Sequence, residues 1–137
     1  MADDEQTFWV PLRFRDVDAF GHVYHAEFLT LLDEARTRWL RDVLRLERPS
    51  DHVLARVELD YVSSIVAADD AVCADVRLER VGTSSLTLAE TMRVRDGRVV
   101  SRGRVVIVLR DVERGVSRPL TDDERARAVA LLAGDPG

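Results

Sequence analysis

The chain has no lysine and no asparagine, and Cys73 is its only cysteine among 137 residues. All 20 of its basic residues are arginine, a bias that GC-rich coding explains more simply than chemistry does. Without lysine there is neither a Schiff base nor an amine nucleophile. Any phosphate on a ligand must then be met by arginine or by backbone N–H groups. A single cysteine excludes an intrachain disulfide and a thiolate zinc cluster. Positive charge is not in excess either: the formal net charge is -5, and the arginines are spread among acids, which argues against a nucleic-acid partner. No apolar run approaches membrane-spanning length. Met1 to Thr7 is acidic and polar, with neither a basic n-region nor an apolar h-region. The expectation is a cytoplasmic protein with no membrane partner, and, without linker, repeat or low-complexity segment, one domain over 1–137.

What is present is patterned. Phe8, Val10, Leu12 and Phe14 alternate with Trp9, Pro11, Arg13 and Arg15, the period of a strand with one face buried, and Pro11 suggests an edge position or a strand start. After a loop from Asp16 to Val23, Phe28, Leu32, Ala35 and Trp39, flanked by Leu29, Leu31, Leu40 and Val43, predict a helix whose wide apolar face must be covered over more than half its circumference. Val53, Ala55, Val57, Leu59 and Tyr61 predict a second, half-buried strand. Val72 to Leu78, Leu86 to Val94 and Val99 to Leu109 predict three more, the last two joined by an Asp96-Gly97 hairpin. Thr121 and Glu124 form a potential capping box for a short helix through Leu132, and Gly134 to Gly137 read as a fraying end. The order of strand, long helix and four strands gives an α+β domain in which an antiparallel sheet wraps one central helix, with a core over about residues 8–110.

The chemistry-bearing segment is Arg15-Asp16-Val17-Asp18-Ala19-Phe20-Gly21-His22-Val23-Tyr24-His25, between the first strand and the helix. Read from residue types alone, Asp16 and Asp18 are either turn-formers or working carboxylates. With His22 and His25 they also compose a carboxylate–imidazole set, but closely spaced loop acids seldom converge on a metal without dedicated geometry, so no metal site is expected. Tyr24-His25-Ala26 lacks every strong N-cap residue, which leaves helix N–H groups and the positive dipole end open to a developing oxyanion. Arg36 falls inside the apolar sector, where a buried charge must pair with a carboxylate or with backbone carbonyls, within the fold or at a subunit interface; Glu90, on the inward face of its strand, is a structural partner or a second active-site acid.

The Asp-x-Asp-x-x-Gly-His-Val spacing, with Glu34-Ala35-Arg36 on the helix and Gly82-Thr83-Ser84-Ser85 before the fourth strand, resembles the signature of the 4-hydroxybenzoyl-CoA thioesterase branch of the hotdog superfamily, over about Phe8 to Leu109. The resemblance implies a hotdog fold and hydrolysis of an acyl-CoA, or less readily an acyl-carrier-protein, thioester, with no metal or redox cofactor. It implies Asp18 as general base or nucleophile and His25 as the second catalytic residue. Gly21, His22, Tyr24, Ser84 and Ser85 are implied on the substrate side, in a homodimer or homotetramer with sites at the subunit interface. His22 and His25 match two different branches, and Phe14 stands where some relatives carry a tyrosine. The rivals are a hydratase or dehydratase on the same fold and a non-catalytic acyl-thioester-binding module.

Overall fold

The alternating segments pair into one antiparallel sheet, and the apolar segment after the first strand forms the helix packed on its inner face. A computed structural model describes residues 6–134; the acidic first five residues and the end from 135 onward, where fraying is expected, lie outside the described residues. The elements are β1 (Thr7–Pro11), α1 (Glu27–Asp42), β2 (His52–Tyr61), β3 (Ala71–Val81), β4 (Ser85–Val94), β5 (Val99–Asp111), β6 (Val116–Ser117) and α2 (Asp122–Gly134). Strand order is β1-β3-β4-β5-β2, with β6 pairing the end of β5. No helix among the described residues is long and apolar enough to cross a membrane.

The wide apolar face of α1 finds the cover it requires. Phe28, Leu31, Leu32, Ala35, Trp39 and Leu40 are buried in one core with Val72, Ala74 and Val76 of β3 and Leu86, Leu88 and Met92 of β4. Trp39 is fully buried, and its indole N–H, which would otherwise be stranded, donates to the Gln6 side chain at 3.0 Å. Truncating a tryptophan so placed costs about 3–5 kcal/mol. The C-terminal helix α2 starts with the expected capping box, Thr121 N–H on Glu124 at 2.8 Å and Glu124 N–H on the Thr121 hydroxyl at 3.1 Å. Its Arg125 and Arg127 reach back to the carbonyls of Gly82 and Leu44.

Three expectations are corrected by local backbone geometry. β1 ends at Pro11 and the chain turns into a 3-10 turn at Phe14–Asp16, so Phe14 is fully exposed instead of continuing the buried face. A bulge at Ala55 shifts the register of β2, placing Leu54 opposite Ile107 and Val57 opposite Val105, so Leu54 rather than Val53 shares the inner face. A second irregularity between Met92 and Arg93 buries Val100 in place of Val99. The Asp96-Gly97 hairpin forms with only Gly97 at positive φ (91°), closing through the Gly97 N–H to the Val94 carbonyl.

β2 departs furthest from expectation. It is an edge strand, and the inner-face residues Leu54, Val57 and Tyr61 remain 36–48 % exposed because α1 lies over β1 and β3 at the other side of the sheet. A strand edge with free N–H and C=O groups next to an apolar face is a surface that calls for a partner.

Candidate active site

The loop between β1 and α1 folds as a miniature hairpin. Val17 bridges Val23, Asp18 N–H donates to the His22 carbonyl at 2.8 Å, and the turn at its tip closes from Gly21 N–H to the Asp18 carbonyl at 3.1 Å. Gly21 has φ +81°, a conformation that side-chain-bearing residues adopt only with strain, which accounts for the glycine at this position of the motif. His22 also bridges Val66, and Val23 N–H donates to the Ile65 carbonyl, so the hairpin is stitched to the segment entering β3.

The two aspartates of the motif do different work. Asp16 is fully buried; its carboxylate accepts the Arg13 backbone N–H at 2.8 Å and the Arg13 guanidinium at 2.8 and 3.2 Å. Burial opposes its ionisation, but the Arg13 hydrogen bonds and charge prevail and hold the carboxyl below the ordinary carboxylate range. Arg13 in turn lies 3.5 Å from Glu27 in the first turn of α1. Asp16 is therefore a structural clasp. Asp18 is half-buried, and one of its oxygens accepts the Phe20 and His22 N–H groups at 2.9 and 3.3 Å. The turn-forming role foreseen for such a residue is thus real, yet it occupies Oδ1 alone. Oδ2 takes no hydrogen bond from the described residues, and Asp18 lines a cavity of about 330 Å³ with Leu12, Arg13, Phe14, Val17, Ala67 and Asp70.

His22, Tyr24 and His25 do not line that cavity. Tyr24 and His25 are exposed, their rings in contact at 4.3 Å between centroids and tilted by 42°, and His25 faces Tyr61 of β2 edge-on at 6.3 Å. Helix α1 has no side-chain cap, as its sequence foretells, but its first amides are not left open: Glu27, Phe28 and Leu29 donate to the carbonyls of Tyr24, His25 and Ala26 at 2.8, 3.3 and 3.2 Å. The open N–H groups are instead those of His25 and Ala26, one step earlier, which have no acceptor among the described residues. Sequence reasoning missed Tyr61, whose hydroxyl donates to the His25 carbonyl at 2.8 Å. Its only sequence signal was an aromatic residue at the end of a strand.

Ser84 and Ser85 lie elsewhere. They follow β3, whereas the Asp18 loop joins the sheet where β3 begins, so the length of that strand, about 33 Å at 3.3 Å per residue, separates them within one chain. Glu90 is not free for acid chemistry: the buried Arg36 guanidinium binds both its oxygens at 2.7 and 2.8 Å and also contacts Asp33. Burial pushes the Glu90 carboxyl above the ordinary range against the pull of Arg36. Among the described residues no three His, Cys, Asp or Glu side chains cluster as metal ligands would.

Comparison with known proteins sets this geometry in a family. Residues 12–129 match the model of the thioesterase-like superfamily. The acyl-CoA thioesterase YbgC of Haemophilus influenzae is 28% identical over 136 residues, covering 93% of this chain and 96% of its own length. A thioesterase of Thermus thermophilus, solved with coenzyme A and zinc, is 32% identical with a TM-score of 0.81 and 96% of both chains covered. The Staphylococcus aureus protein SAV2348, solved with coenzyme A, superposes with a TM-score of 0.83 over 100% of this chain and 89% of its own, and at 13% identity it speaks for the fold alone. The chain belongs to the thioesterase-like superfamily and has its hotdog fold.

Proposed function

We propose that the protein hydrolyses an acyl-CoA thioester, or the thioester of an acyl carrier protein, in the cytoplasm and without metal or redox cofactor, with Asp18 as the working carboxylate. One observation carries the assignment to Asp18: two backbone amides fix one oxygen while the other stands unpaired in a cavity. A carboxylate so oriented attacks the thioester carbonyl or takes a proton from an attacking water without first surrendering a hydrogen bond. The open N–H groups of His25 and Ala26, at the positive end of α1, are the donors suited to the carbonyl oxygen, which becomes negative as the nucleophile adds and reverts to a carbonyl as the C–S bond breaks and the thiolate leaves. The imidazole of His25 assists the leaving thiolate or positions substrate, with Gly21 shaping the Asp18 turn and the exposed His22 and Tyr24 on the substrate side.

The same reading calls for two copies. If β2 pairs with its own copy about a two-fold axis, antiparallel pairing sets the His52 end of one strand beside the Tyr61 end of the other. The Ser84–Ser85 turn sits at the His52 end of the sheet, where the Leu109 N–H donates to the Ser84 carbonyl and His52 pairs with Leu109. Such a dimer brings the turn of the second copy to the end that holds Tyr61 and His25, two to three strand spacings or roughly 10–15 Å away. Serines distant from Asp18 within one chain then join a composite site, and Leu54, Val57 and Tyr61 are covered.

A panel of short, long and aromatic acyl-CoA thioesters, with released thiol as readout, tests the reaction. Turnover of at least one member by the parent and loss in Asp18→Asn is expected. Thioester binding without any hydrolysis would replace the proposal with a binding module, to which the turn-forming role of Asp18 would then be sufficient. Sedimentation checks the assembly: a folded, active monomer at micromolar concentration would refute the composite site.

A further inference from the structure

Tyr61 lies on the uncovered edge strand, 36 residues from the residue it binds, and nothing in the Asp18 motif refers to it. Its hydroxyl donates to the carbonyl of His25 at 2.8 Å. That carbonyl and the N–H of Ala26 are the two ends of one planar peptide unit, which moves as a rigid body. The N–H end has no acceptor among the described residues, and Ala26 is exposed. The competing donor to the carbonyl, Phe28 N–H, is at a long 3.3 Å, so the Tyr61 hydroxyl is the stronger hold on this peptide. The tyrosine is itself held: its ring packs edge-on against the buried Phe28 at 4.9 Å and faces His25 at 6.3 Å.

We propose that Tyr61 is a positioning residue for the thioesterase reaction, orienting and polarising the His25–Ala26 peptide so that the Ala26 N–H is a prearranged donor to the oxyanion. This rests on the function proposed above. A hydrogen bond accepted by a peptide carbonyl draws electron density from the amide and makes its N–H a better donor, as in any hydrogen-bonded chain. Fixing the plane beforehand removes the reorganisation that a mobile amide would undergo as charge develops on the substrate oxygen. The effect is confined to the transition state, because a neutral thioester carbonyl gains little from a sharpened donor.

The test is Tyr61→Phe in the full chain, which keeps the ring on Phe28 and removes only the half-exposed hydroxyl. Deleting a whole oxyanion donor lowers kcat by about a hundredfold or more. Loosening one should lower it by about tenfold, with KM for the same thioester within about twofold and the pH profile unshifted. The Ala26 amide nitrogen, whose chemical shift reports the hydrogen bond on the preceding carbonyl, should move upfield in the NMR spectrum of the variant. Val57→Ala, on the same edge strand but clear of the peptide, controls for weakened association and should leave kcat per assembled dimer unchanged. Parent-like kcat in Tyr61→Phe, an unmoved Ala26 nitrogen, or a kcat loss equalled by Val57→Ala each overturns the proposal. Running Asp18→Asn beside it separates the two readings: an Asp18 variant that stays active defeats the catalytic assignment, whereas an inactive Asp18 variant with a fully active Tyr61→Phe defeats the positioning role alone.

Discussion

Replacing either aspartate of the loop by asparagine preserves size and shape, yet the structure makes the two changes differ in kind. In Asp18→Asn the carboxamide oxygen can still accept the Phe20 and His22 N–H groups that Oδ1 accepts at 2.9 and 3.3 Å, so the turn survives. What disappears is the unpaired, negatively charged oxygen. Turnover should fall by about a hundredfold to ten-thousandfold, the span observed for losing a positioned base, with KM and melting temperature little changed. Asp16→Asn strikes a fully buried carboxylate bound by Arg13 through its main chain and its guanidinium. Charge-assisted bonds of that kind are worth about 1.5–3 kcal/mol, and the half-exposed guanidinium places this one towards the low end. At about 2 kcal/mol a domain of this size melts roughly 5–10 °C earlier, while activity measured well below the transition falls by less than about tenfold. Thiol-release kinetics beside thermal denaturation read both numbers from each variant. If the two substitutions lose activity and stability in the same proportion, the two carboxylates do not divide the work and the loop acts as one structural unit.

Glu90→Gln should destabilise by about 3 kcal/mol or more, because it leaves the Arg36 charge buried and poorly compensated, whereas Arg36→Leu combined with Glu90→Leu should cost much less; chemical denaturation of the single and double variants distinguishes the two. Asp16 and Glu124 both have their carboxyls held below the ordinary range, in each case against burial and through hydrogen bonds from Arg13 and from Arg118 and Thr121. Their stabilisation is present above the ordinary carboxylate pKa of about 4 and is lost as pH falls through the depressed folded values, so melting temperature should drop on acidification and drop less steeply in Asp16→Asn. Cys73→Ser and added chelator should each leave turnover within about twofold of the parent, since neither a thiol nor a metal enters the proposed chemistry, and a tenfold loss with either would contradict it.

The elements were legible in the sequence wherever a buried face is continuous. α1, β3, β4 and the capping box of α2 follow directly from periodicity and residue type. Periodicity failed where the backbone breaks step: Ala55 adds a residue to β2 and exchanges Val53 for Leu54, and the turn after Pro11 carries Phe14 into solvent, because a bulge or a 3-10 turn leaves no trace in alternation. At the site, residue types offered Asp16 and Asp18 alike as turn-formers or working carboxylates, and could not distinguish a clasped Asp16 from a half-free Asp18, since the partner that decides it, Arg13, precedes the motif. Tyr61 was invisible for a plainer reason. Its role depends on the contact between β2 and the start of α1, and long-range proximity is not written in local pattern.

The Arg36–Glu90 pair bears on the place of α1 as well as on its stability. Apolar side chains tolerate a helix that slips along a sheet, because one methyl group serves nearly as well as another. A guanidinium whose Nε and Nη2 meet the two oxygens of one carboxylate does not, and a slip of one turn, about 5.4 Å, would strand both charges in the core. The pair therefore works as a key that fits at one height only. Ten residues towards the N-terminus, about 15 Å along the axis, Ala26 caps the same helix, with His25 just before it. The height at which those amides meet the end of β2 is thus decided deep in the core, by two charges that no substrate touches.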